Sequence, residues 1–255
     1  MITFSNIGKL GRLGNQMFQY AALYSAAFTR GYEFAIPKNT DLEKVFKLPS
    51  KQYLESDVEQ TLYKEKSFSH DPSLWLIDDN TELVGYFQSP KYWLHCQEDI
   101  RREFEFQDSI QEKADTWLKE NKLENRLLAA VHVRRTDYLE KSNYHHNLDD
   151  SYYIRANQFI NSQFPNHKFE FLIFSDDPEW CKSKFSGVRV VENNEPEIDL
   201  CLMTKCHVIV MANSSFSWWG AFLSGSGAVI APARWFGPDG PKDWRDIYCK
   251  GWEIG

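Results

Sequence analysis

The chain has 255 residues, which fits one large or two small domains and is ample for a buried core. Its 29 basic and 36 acidic residues give a formal net charge of −7. This charge argues against a general nucleic-acid-binding protein, because phosphate backbones require a basic face. The net charge is still compatible with a local basic pocket for one small anion. Aromatic residues make up 15% of the chain, which suits sugar rings and ordinary core packing alike.

The N-terminus and the cysteines bear on the compartment. Residues 1–7 predict a strand and lack the basic and apolar regions of a signal peptide. No apolar stretch approaches the roughly 20 residues of a membrane-spanning helix. The five cysteines include no C-x-x-C pair, which argues against a disulfide framework or a structural zinc site. We therefore expect a cytoplasmic protein, either free or peripheral to the inner membrane face.

The first half of the chain predicts a weak alternation of strands and helices. The predicted elements are a strand over 2–7, a glycine-rich turn over 8–16, a helix over 17–30 ended by Gly31, a strand over 83–87, a helix beginning at Gln88-Ser-Pro, and a helical stretch over 99–121.

The second half predicts the same alternation more clearly. Strands are predicted over 127–133, 169–174, 188–191, 208–211 and, as the last strand, 229–231; helices are predicted over 149–163, from Pro178, over 197–206 and over 214–223. Strands that alternate with helices indicate a mostly parallel α/β sheet. The segment 122–127 is the best candidate linker, so we expect domains over 1–125 and 126–255.

The glycine-rich turn contains Gly8, Gly11 and Gly14 in a G-x-x-G-x-x-G pattern, which differs from the G-x-G-x-x-G of dinucleotide-binding proteins. Three interpretations stay open: a phosphate-binding loop, a tight strand–helix connection, or a loop lining a cleft. In the last, Asn15 and Gln16 would offer amide donors and acceptors to sugar hydroxyls.

The strand over 127–133 runs into a basic cluster that contains His132, Arg134, Arg135 and Asp137. Ligands of open α/β sheets bind at the carboxyl ends of strands, and an arginine fork matches a phosphate. Strand alternation places His132 and Arg134 on one side and Arg135 on the other. The alternative is a solvated strand end with an arginine–aspartate pair.

Acidic side chains follow the next predicted strand. Asp176 and Asp177 precede Pro178, so either can serve as the cap of the helix that begins there. They can equally face a ligand at the strand end.

Serines occupy the predicted turn after the strand over 208–211. Ser214, Ser215 and Phe216 lead into a helix, whose free N–H groups would suit a diphosphate. Helix capping is the simpler alternative. Asp199, in the preceding helix, could accept two hydrogen bonds from a guanine edge or be an ordinary helix residue.

Taken together, the motifs resemble those of the bacterial α1,2-fucosyltransferase family. They are G-R-L-G-N-Q-M-F-Q-Y, G-Y-F-Q-S-P-K-Y-W, H-V-R-R-T-D-Y, F-S-D-D-P-E-W and N-S-S-F-S-W-W-G-A, with Tyr152-Tyr153 and the tail residues Pro232, Trp235 and Trp244. The matches cover nearly the whole chain and are weakest over 38–80.

The resemblance implies a GT-B-like fold of two Rossmann-type halves facing across a cleft. Residues 1–125 would form the acceptor-side domain and residues 126–255 the GDP-fucose-binding domain. The implied reaction transfers L-fucose from GDP-fucose to the 2-hydroxyl of a terminal β-galactoside with inversion. The acceptor would be lactose or a lipid-linked oligosaccharide, for example.

The resemblance also assigns roles to residues. Arg134 would bind the β-phosphate beside Arg135, and His132 would be a donor-site histidine. Asp199 would bind guanine, since it lies sixteen residues before Ser215, a phosphate-binding serine in the wider superfamily. Asp176, Ser214 and Phe216 join the donor site, and Asn15 and Gln16 line the acceptor cleft.

The catalytic base is the main departure from the superfamily. Core α1,6-fucosyltransferases place a catalytic glutamate ten residues after the motif histidine, where this chain has Ser142. The candidates near in sequence are Asp137, which we place among the catalytic residues with Arg134 and Arg135, and Glu140, His145 and His146. A loose transition state would need little help from a base.

No cofactor and no metal are expected. Metal-dependent glycosyltransferases commonly use an Asp-x-Asp pair, which this sequence lacks, and the two arginines already supply positive charge. A competing view is that Asp176 and Asp177 bind a cation. Two other functions remain open: a fucosyltransferase of another linkage, and a non-catalytic glycan-binding module. The module would explain the aromatic residues but not the paired arginines and the serine turn.

Overall fold

The computed structural model describes residues 1–55 and 60–255. The chain forms two compact units. The first comprises Met1–Gln107 and Asp243–Cys249, and the second comprises Asp108–Lys242 and Lys250–Gly255. Both are α/β units with parallel sheets, which confirms the predicted fold class. The division between them falls earlier in the chain than the predicted boundary at 125, because the helix that follows Gln107 packs against a helix of the second unit.

The first unit is built on a parallel sheet. Its elements are β1 (Ile2–Thr3), α1 (Leu13–Arg30), β2 (Phe34–Ala35), α2 (Asp41–Val45), β3 (Thr61–Lys64), β4 (Thr81–Val84) and α3 (Gln97–Glu103), with 3-10 turns at Pro72–Leu76, Pro90–Tyr92, Leu94–Cys96 and Trp244–Ile247. Within the described residues, its four strands pair in the order β2-β1-β4-β3. The weak alternation in the first half of the sequence therefore does correspond to a parallel sheet.

The second unit, all of whose residues the structure describes, contains a six-stranded parallel sheet in the order β10-β9-β8-β5-β6-β7. Its elements are α4 (Asp108–Glu120), β5 (Leu127–Val133), α5 (Thr136–Glu140), α6 (Asp150–Gln163), β6 (Phe169–Ser175), α7 (Pro178–Lys184), β7 (Arg189–Val190), α8 (Pro196–Thr204), β8 (Val208–Val210), α9 (Ser215–Ser224), β9 (Ala228–Ala231) and β10 (Glu253–Ile254). This is the doubly wound order of Rossmann-type domains, in which the first strand is central and the direction of winding reverses beside it.

Strand β5 is the centre of the second sheet. It pairs along its whole length with β6 and, through Ala129–Val131, with β8. Its residues from Leu128 onward are buried, which explains the continuous apolar run, because a strand covered by helices on both faces has no polar side. On one face, Tyr152, Ala156 and Ile160 of α6 pack over the sheet.

The C-terminal end of α1 follows its sequence signal, whereas the N-terminal end does not. The first helix ends where predicted, with Gly31 in the left-handed conformation at φ 67°. It begins earlier than predicted, however, at Leu13, so that Gly14, Asn15 and Gln16 lie in its first turn rather than in a loop. The glycine-rich turn is correspondingly shorter.

Other predicted elements differ from the structure. The helical stretch predicted over 99–121 consists of two helices, α3 and α4, interrupted at Phe104–Gln107 where Phe46 bridges to Phe106 and Gln107 N–H donates to Val45. Only a 3-10 turn forms at Pro90. Strand β9 is not the last, because the C-terminal residues return to pair with it as β10. These differences arise from pairings distant in sequence, which local patterns do not carry.

None of the helices among the described residues is both long and apolar enough to cross a membrane.

Candidate active site

The candidate site of the second unit lies where β5 and β8 end side by side. Val131 is paired with Val210, so the chain leaves both strands at the same edge of the sheet. The segment after β5 carries Arg134, and the turn after β8 carries Ser214. The order of the strands reverses between these two neighbours, and ligands of open α/β sheets bind at such a switch point.

His132 is buried beneath this edge. Its Nδ1 lies 2.8 Å from the Ser217 hydroxyl in α9, and its ring lies 5.8 Å from that of Phe216. Burial, assisted by the positive charge of Arg134, lowers the pKa of His132 to about 3. The imidazole is therefore neutral and presents one donor and one acceptor nitrogen. One of these nitrogens contacts Ser217, which was not predicted as a site residue although it lies within the N-S-S-F-S-W-W-G-A motif.

Arg134 lies among two carboxylates and an aromatic ring. Its Nη2 is 2.6 Å from Asp137 Oδ1, its Nη1 is 3.2 Å from Asp176 Oδ2, and its guanidinium lies 5.5 Å from the centre of the Tyr138 ring. The side chain is 17% exposed. A cation so well enclosed needs nearby carboxylates to compensate its desolvation.

Arg135 has different neighbours, as strand alternation predicts. Its Nε lies 3.1 Å from Asp177 Oδ2, and its guanidinium stacks 3.8 Å from the centre of the Trp180 ring in α7. This contact is a cation–π interaction. The structure thus brings Arg134 to the switch point and holds Arg135 on α7.

The two acidic residues after β6 make different contacts. Asp177 caps α7 by accepting from Trp180 N–H, which is the helix-cap interpretation. Asp176 instead accepts from the backbone N–H of Arg135 at 2.9 Å and from the Thr136 hydroxyl. It thereby joins the end of β6 to the end of β5, and it holds Arg134 in place.

The turn after β8 forms the other part of the candidate site, beside the segment that carries Arg134. The Ser214 hydroxyl accepts from Phe216 N–H at 3.3 Å and so caps α9, whose first turn begins at Ser215. The first N–H groups of a helix have no partner within the helix and attract an anion. Capping and anion binding are therefore compatible here.

Asn213 connects this turn to two other segments. Its buried amide donates to His146 O at 2.8 Å and to Trp235 O at 2.7 Å, and its own carbonyl accepts from the Tyr138 hydroxyl at 2.9 Å. Tyr138 is a site residue that the sequence does not predict, because its only signal is its place after Asp137 in the motif.

The segment between α5 and α6 lies over Tyr138. The imidazole of His145 stacks on the Tyr138 ring with 3.9 Å between ring centres and 3° between planes. Of the four candidate bases, His145 is thus the one whose ring packs on an aromatic neighbour of Arg134, while Asp137 pairs with that arginine directly.

Asp199 lies in the first turn of α8, and Asn194 Nδ2 donates to its Oδ1 at 3.0 Å. Burial raises the pKa of this carboxyl to about 7. Helix α8 packs closely on α9, since a Cβ on Gly220 would lie 3.1 Å from Met203. Both helices begin at the carboxyl edge of the sheet, so Asp199 belongs to the same edge as the serine turn.

The candidate acceptor residues of the first unit lie in the first turn of α1. Gln16 is buried, and both ends of its amide bind Asp41: Nε2 donates to Oδ2 at 2.9 Å, and Oε1 accepts from the Asp41 N–H at 3.2 Å. Asn15 Oδ1 accepts from Gln88, whereas its Nδ2 has no partner among the residues that the structure describes. Of the two, Asn15 is the one with a donor left for a ligand.

Glu65 follows β3 at the carboxyl edge of the first unit's sheet, and it was not among the site residues predicted from the sequence. Its carboxylate accepts from Tyr86 N–H at 2.7 Å and Phe87 N–H at 2.9 Å. Gly85, at φ 158°, has no room for a Cβ, which would lie 2.4 Å from that of Glu65. Burial raises the pKa of Glu65 to about 7.

The two parallel sheets define an α/β protein of the GT-B type. A solved α1,6-fucosyltransferase, NodZ, soaked with GDP-fucose, has the same fold, with a TM-score of 0.55 and 13% identity over 87% of this chain and 91% of that one. At that identity the likeness establishes the fold.

The chain belongs to glycosyl transferase family 11, whose model matches residues 2–254. It is 30% identical to an alpha-1,2-colitosyltransferase of Escherichia coli, over 89% of this chain and 90% of that protein. It is 28% identical to galactoside alpha-(1,2)-fucosyltransferase 2 of Oryctolagus cuniculus, over 92% of this chain and 71% of that protein. The protein is therefore a glycosyltransferase.

Proposed function

We propose that the protein transfers L-fucose from GDP-fucose to the 2-hydroxyl of a terminal β-galactoside, with inversion at the anomeric carbon. The fucosyl group is the one named in the rabbit relative, and the α1,2 linkage is common to both relatives described above. The family match over nearly the whole chain supports the same class of reaction here.

The observation that carries the proposal is the position of Arg134 at the switch point. As the bond from fucose to GDP breaks, negative charge develops on the β-phosphate. A guanidinium 17% exposed at the strand end and the first N–H groups of α9 would stabilise that charge. Neutral glycans need no such cation, so this feature favours a transferase over a glycan-binding module.

The stereochemistry follows from a single displacement. Fucose becomes oxocarbenium-like as GDP departs, as sugars do in glycosyl transfer generally. The acceptor hydroxyl attacks from the face opposite the leaving group, so a β-linked donor gives an α-linked product. His132, neutral and buried, would contribute hydrogen bonds to the donor rather than charge.

We assign the donor to the second unit and the acceptor to the first. Asp199 would recognise guanine, because a carboxylate can accept from two N–H groups on one edge of that base. Asn15, whose Nδ2 has no partner among the described residues, would donate to a hydroxyl of lactose or of a lipid-linked oligosaccharide. The proposed cytoplasmic location is supported by the five cysteines, all of which are unpaired.

We also propose that transfer needs no divalent cation. Asp176 and Asp177, the acids best placed to hold one, pair instead with Arg134 and Arg135. We expect the enzyme to keep its activity after treatment with EDTA. Loss of nearly all activity, restored by magnesium or manganese, would contradict this and make the two aspartates metal ligands.

The decisive experiment incubates the purified protein with GDP-fucose and lactose and determines the linkage of the product. We expect fucosyl-α1,2-lactose. A product with another linkage would contradict the assignment. Absence of transfer and of slow sugar release from every GDP-sugar tested, GDP-fucose included, would indicate a binding module.

A second donor deserves a parallel assay because of the bacterial relative. Colitose is the 3-deoxy form of L-fucose, and the E. coli protein transfers it in the same α1,2 linkage according to its name. We expect GDP-fucose to be the better donor. A product formed only from GDP-colitose would keep the reaction class and change the sugar.

A further inference from the structure

The rings of Tyr138 and His145 stack at the candidate site, and none of the steps proposed above involves either of them. The two rings are parallel at 3.9 Å, and the guanidinium of Arg134 lies 5.5 Å from the centre of the Tyr138 ring. The Tyr138 ring therefore lies next to both the His145 imidazole and the Arg134 guanidinium, to which we assign the β-phosphate. The anomeric carbon of fucose is bonded to an oxygen of that phosphate, so this carbon would lie close to the stacked pair.

The position of His145 is fixed by packing rather than left to a free loop. The residue bridges to Phe236, and Gly237 N–H donates to Tyr144 O at 2.8 Å. A Cβ on Gly237 would lie 2.5 Å from Asn143 O, so the two segments touch backbone to backbone. Rigid support of this kind is what a group needs to act at a defined point.

The nitrogens of His145 are available. Neither makes a hydrogen bond to any residue that the structure describes, and the side chain is only half-buried. Burial lowers the pKa of His145 from its ordinary value; the neighbouring Asp137 raises it, and Lys141 and Arg134 lower it further. The phenols of Tyr138 and Tyr144 also face the ring. The imidazole is therefore unprotonated at neutral pH.

The other candidate bases have less suitable surroundings. Asp137 is bound to Arg134 at 2.6 Å, so its Oδ1 is already engaged in an ion pair. Glu140 is an exposed residue at the end of the short helix α5. His146 has Arg234 and Asp149 as its charged neighbours, whereas His145 has Asp137 and Arg134.

We propose, resting on the function proposed above, that His145 is the general base of the transfer. One of its free nitrogens accepts the proton of the acceptor hydroxyl while the hydroxyl oxygen bonds to the anomeric carbon. The bond from that carbon to the β-phosphate oxygen breaks, and its electron pair leaves with GDP. The proton then passes from the imidazolium to water, so that the base is regenerated.

The test compares His145→Phe with His146→Phe. Phenylalanine keeps the stacking on Tyr138 but cannot accept a proton, so a packing role would survive this substitution. We expect kcat of His145→Phe to fall about a hundredfold, a typical contribution of general-base catalysis, with GDP affinity unchanged by calorimetry. His146→Phe should remain near wild type. His145→Gln, which also lacks a basic nitrogen, should repeat the loss and replaces His145→Phe if that variant fails to fold.

The pH dependence separates a base from a structural residue. In the wild type, kcat measured at saturating GDP-fucose and acceptor should fall on the acidic side as His145 is protonated, and this limb should vanish in His145→Phe. A folded variant with near wild-type kcat, or one that keeps the limb, would overturn the proposal. The wild-type assay distinguishes failure of the His145 proposal from failure of the proposed function. A wild type that forms no fucosylated product contradicts the proposed function instead.

Discussion

The carboxyl edges of the two sheets differ in the kind of polar group that they carry. In the second unit, Arg134 and Arg135 are matched by carboxylates in ion pairs. In the first unit, the edge carries the amides of Asn15 and Gln88 and the carboxyl of Glu65, which is held by backbone N–H groups. An edge with enclosed cations suits an anionic ligand, whereas an edge of amides and carboxyls suits hydroxyl groups.

The comparison also shows how each edge keeps its polar groups stable without a ligand. Removing a guanidinium from water is costly unless carboxylates lie beside it, which explains why Arg134 contacts both Asp137 and Asp176. Glu65 has no such counter-charge among its principal neighbours, and its pKa rises to about 7 instead. Binding of an anion is therefore prepared by charge in one unit, and binding of neutral groups by hydrogen bonds in the other.

The largest effect is expected at the anion-binding edge of the second unit. Arg134→Ala should lower kcat by about a hundredfold or more, since a charge-assisted contact in a dry site contributes ~3 kcal/mol. Arg134→Lys should recover little, because the planar fork is lost. Steady-state kinetics with GDP-fucose and lactose measures this. Near wild-type turnover in either variant would remove Arg134 from the phosphate.

A second substitution tests nucleotide recognition at the same edge. Asp199→Asn should weaken GDP binding about tenfold, the loss of one charged hydrogen bond, and relax the preference for guanine over adenine. Isothermal calorimetry with GDP and ADP measures both. Wild-type GDP affinity should itself fall as the pH drops through about 7, where Asp199 becomes protonated.

The same residue makes a prediction about stability. Its pKa is raised in the folded protein, so the folded state holds the proton more tightly than the unfolded state. Stability therefore declines as the pH rises from the ordinary carboxyl pKa of 3.8 to about 7, and it is lowest above that pH. Asp199→Asn should remove this decline and raise Tm at pH 8 in the absence of ligand. A lower Tm for this variant would show that the carboxylate serves the fold rather than the nucleotide.

A smaller effect is expected at the first edge. Asn15→Ala should raise KM for the acceptor roughly fivefold, the value of about one neutral hydrogen bond, and leave GDP affinity unchanged. Gln16→Ala is the matched comparison, because its amide binds Asp41 and its loss should lower Tm instead. If Asn15→Ala weakens GDP rather than the acceptor, the assignment of the two edges is reversed.

The smallest effect concerns the second arginine. Arg135→Lys should cost about 1 kcal/mol of stability, since it exchanges a guanidinium stacked on Trp180 for an ammonium, and it should lower Tm by a few degrees. Its kcat should fall less than that of Arg134→Lys. Equal losses of kcat with an unchanged Tm would place Arg135 at the phosphate, as the family resemblance implies.

Local signals in the sequence were sufficient for much of the second unit. The apolar run over 127–133 is the strand β5, Pro178 begins α7, and Ser214 caps α9, because each depends on the residue type at that position. The motifs also indicated the family, which the match over residues 2–254 confirms.

Tertiary structure alone decided what depends on partners distant in sequence. The interruption between α3 and α4 follows from the pairing of Phe106 with Phe46, and β10 exists because the C-terminus returns to β9. Nothing local shows that Gln16 binds Asp41 or that His145 stacks on Tyr138. The sequence determined which chemical groups are present, and long-range packing decided which of them meet, because a side chain's neighbours are set by the whole fold.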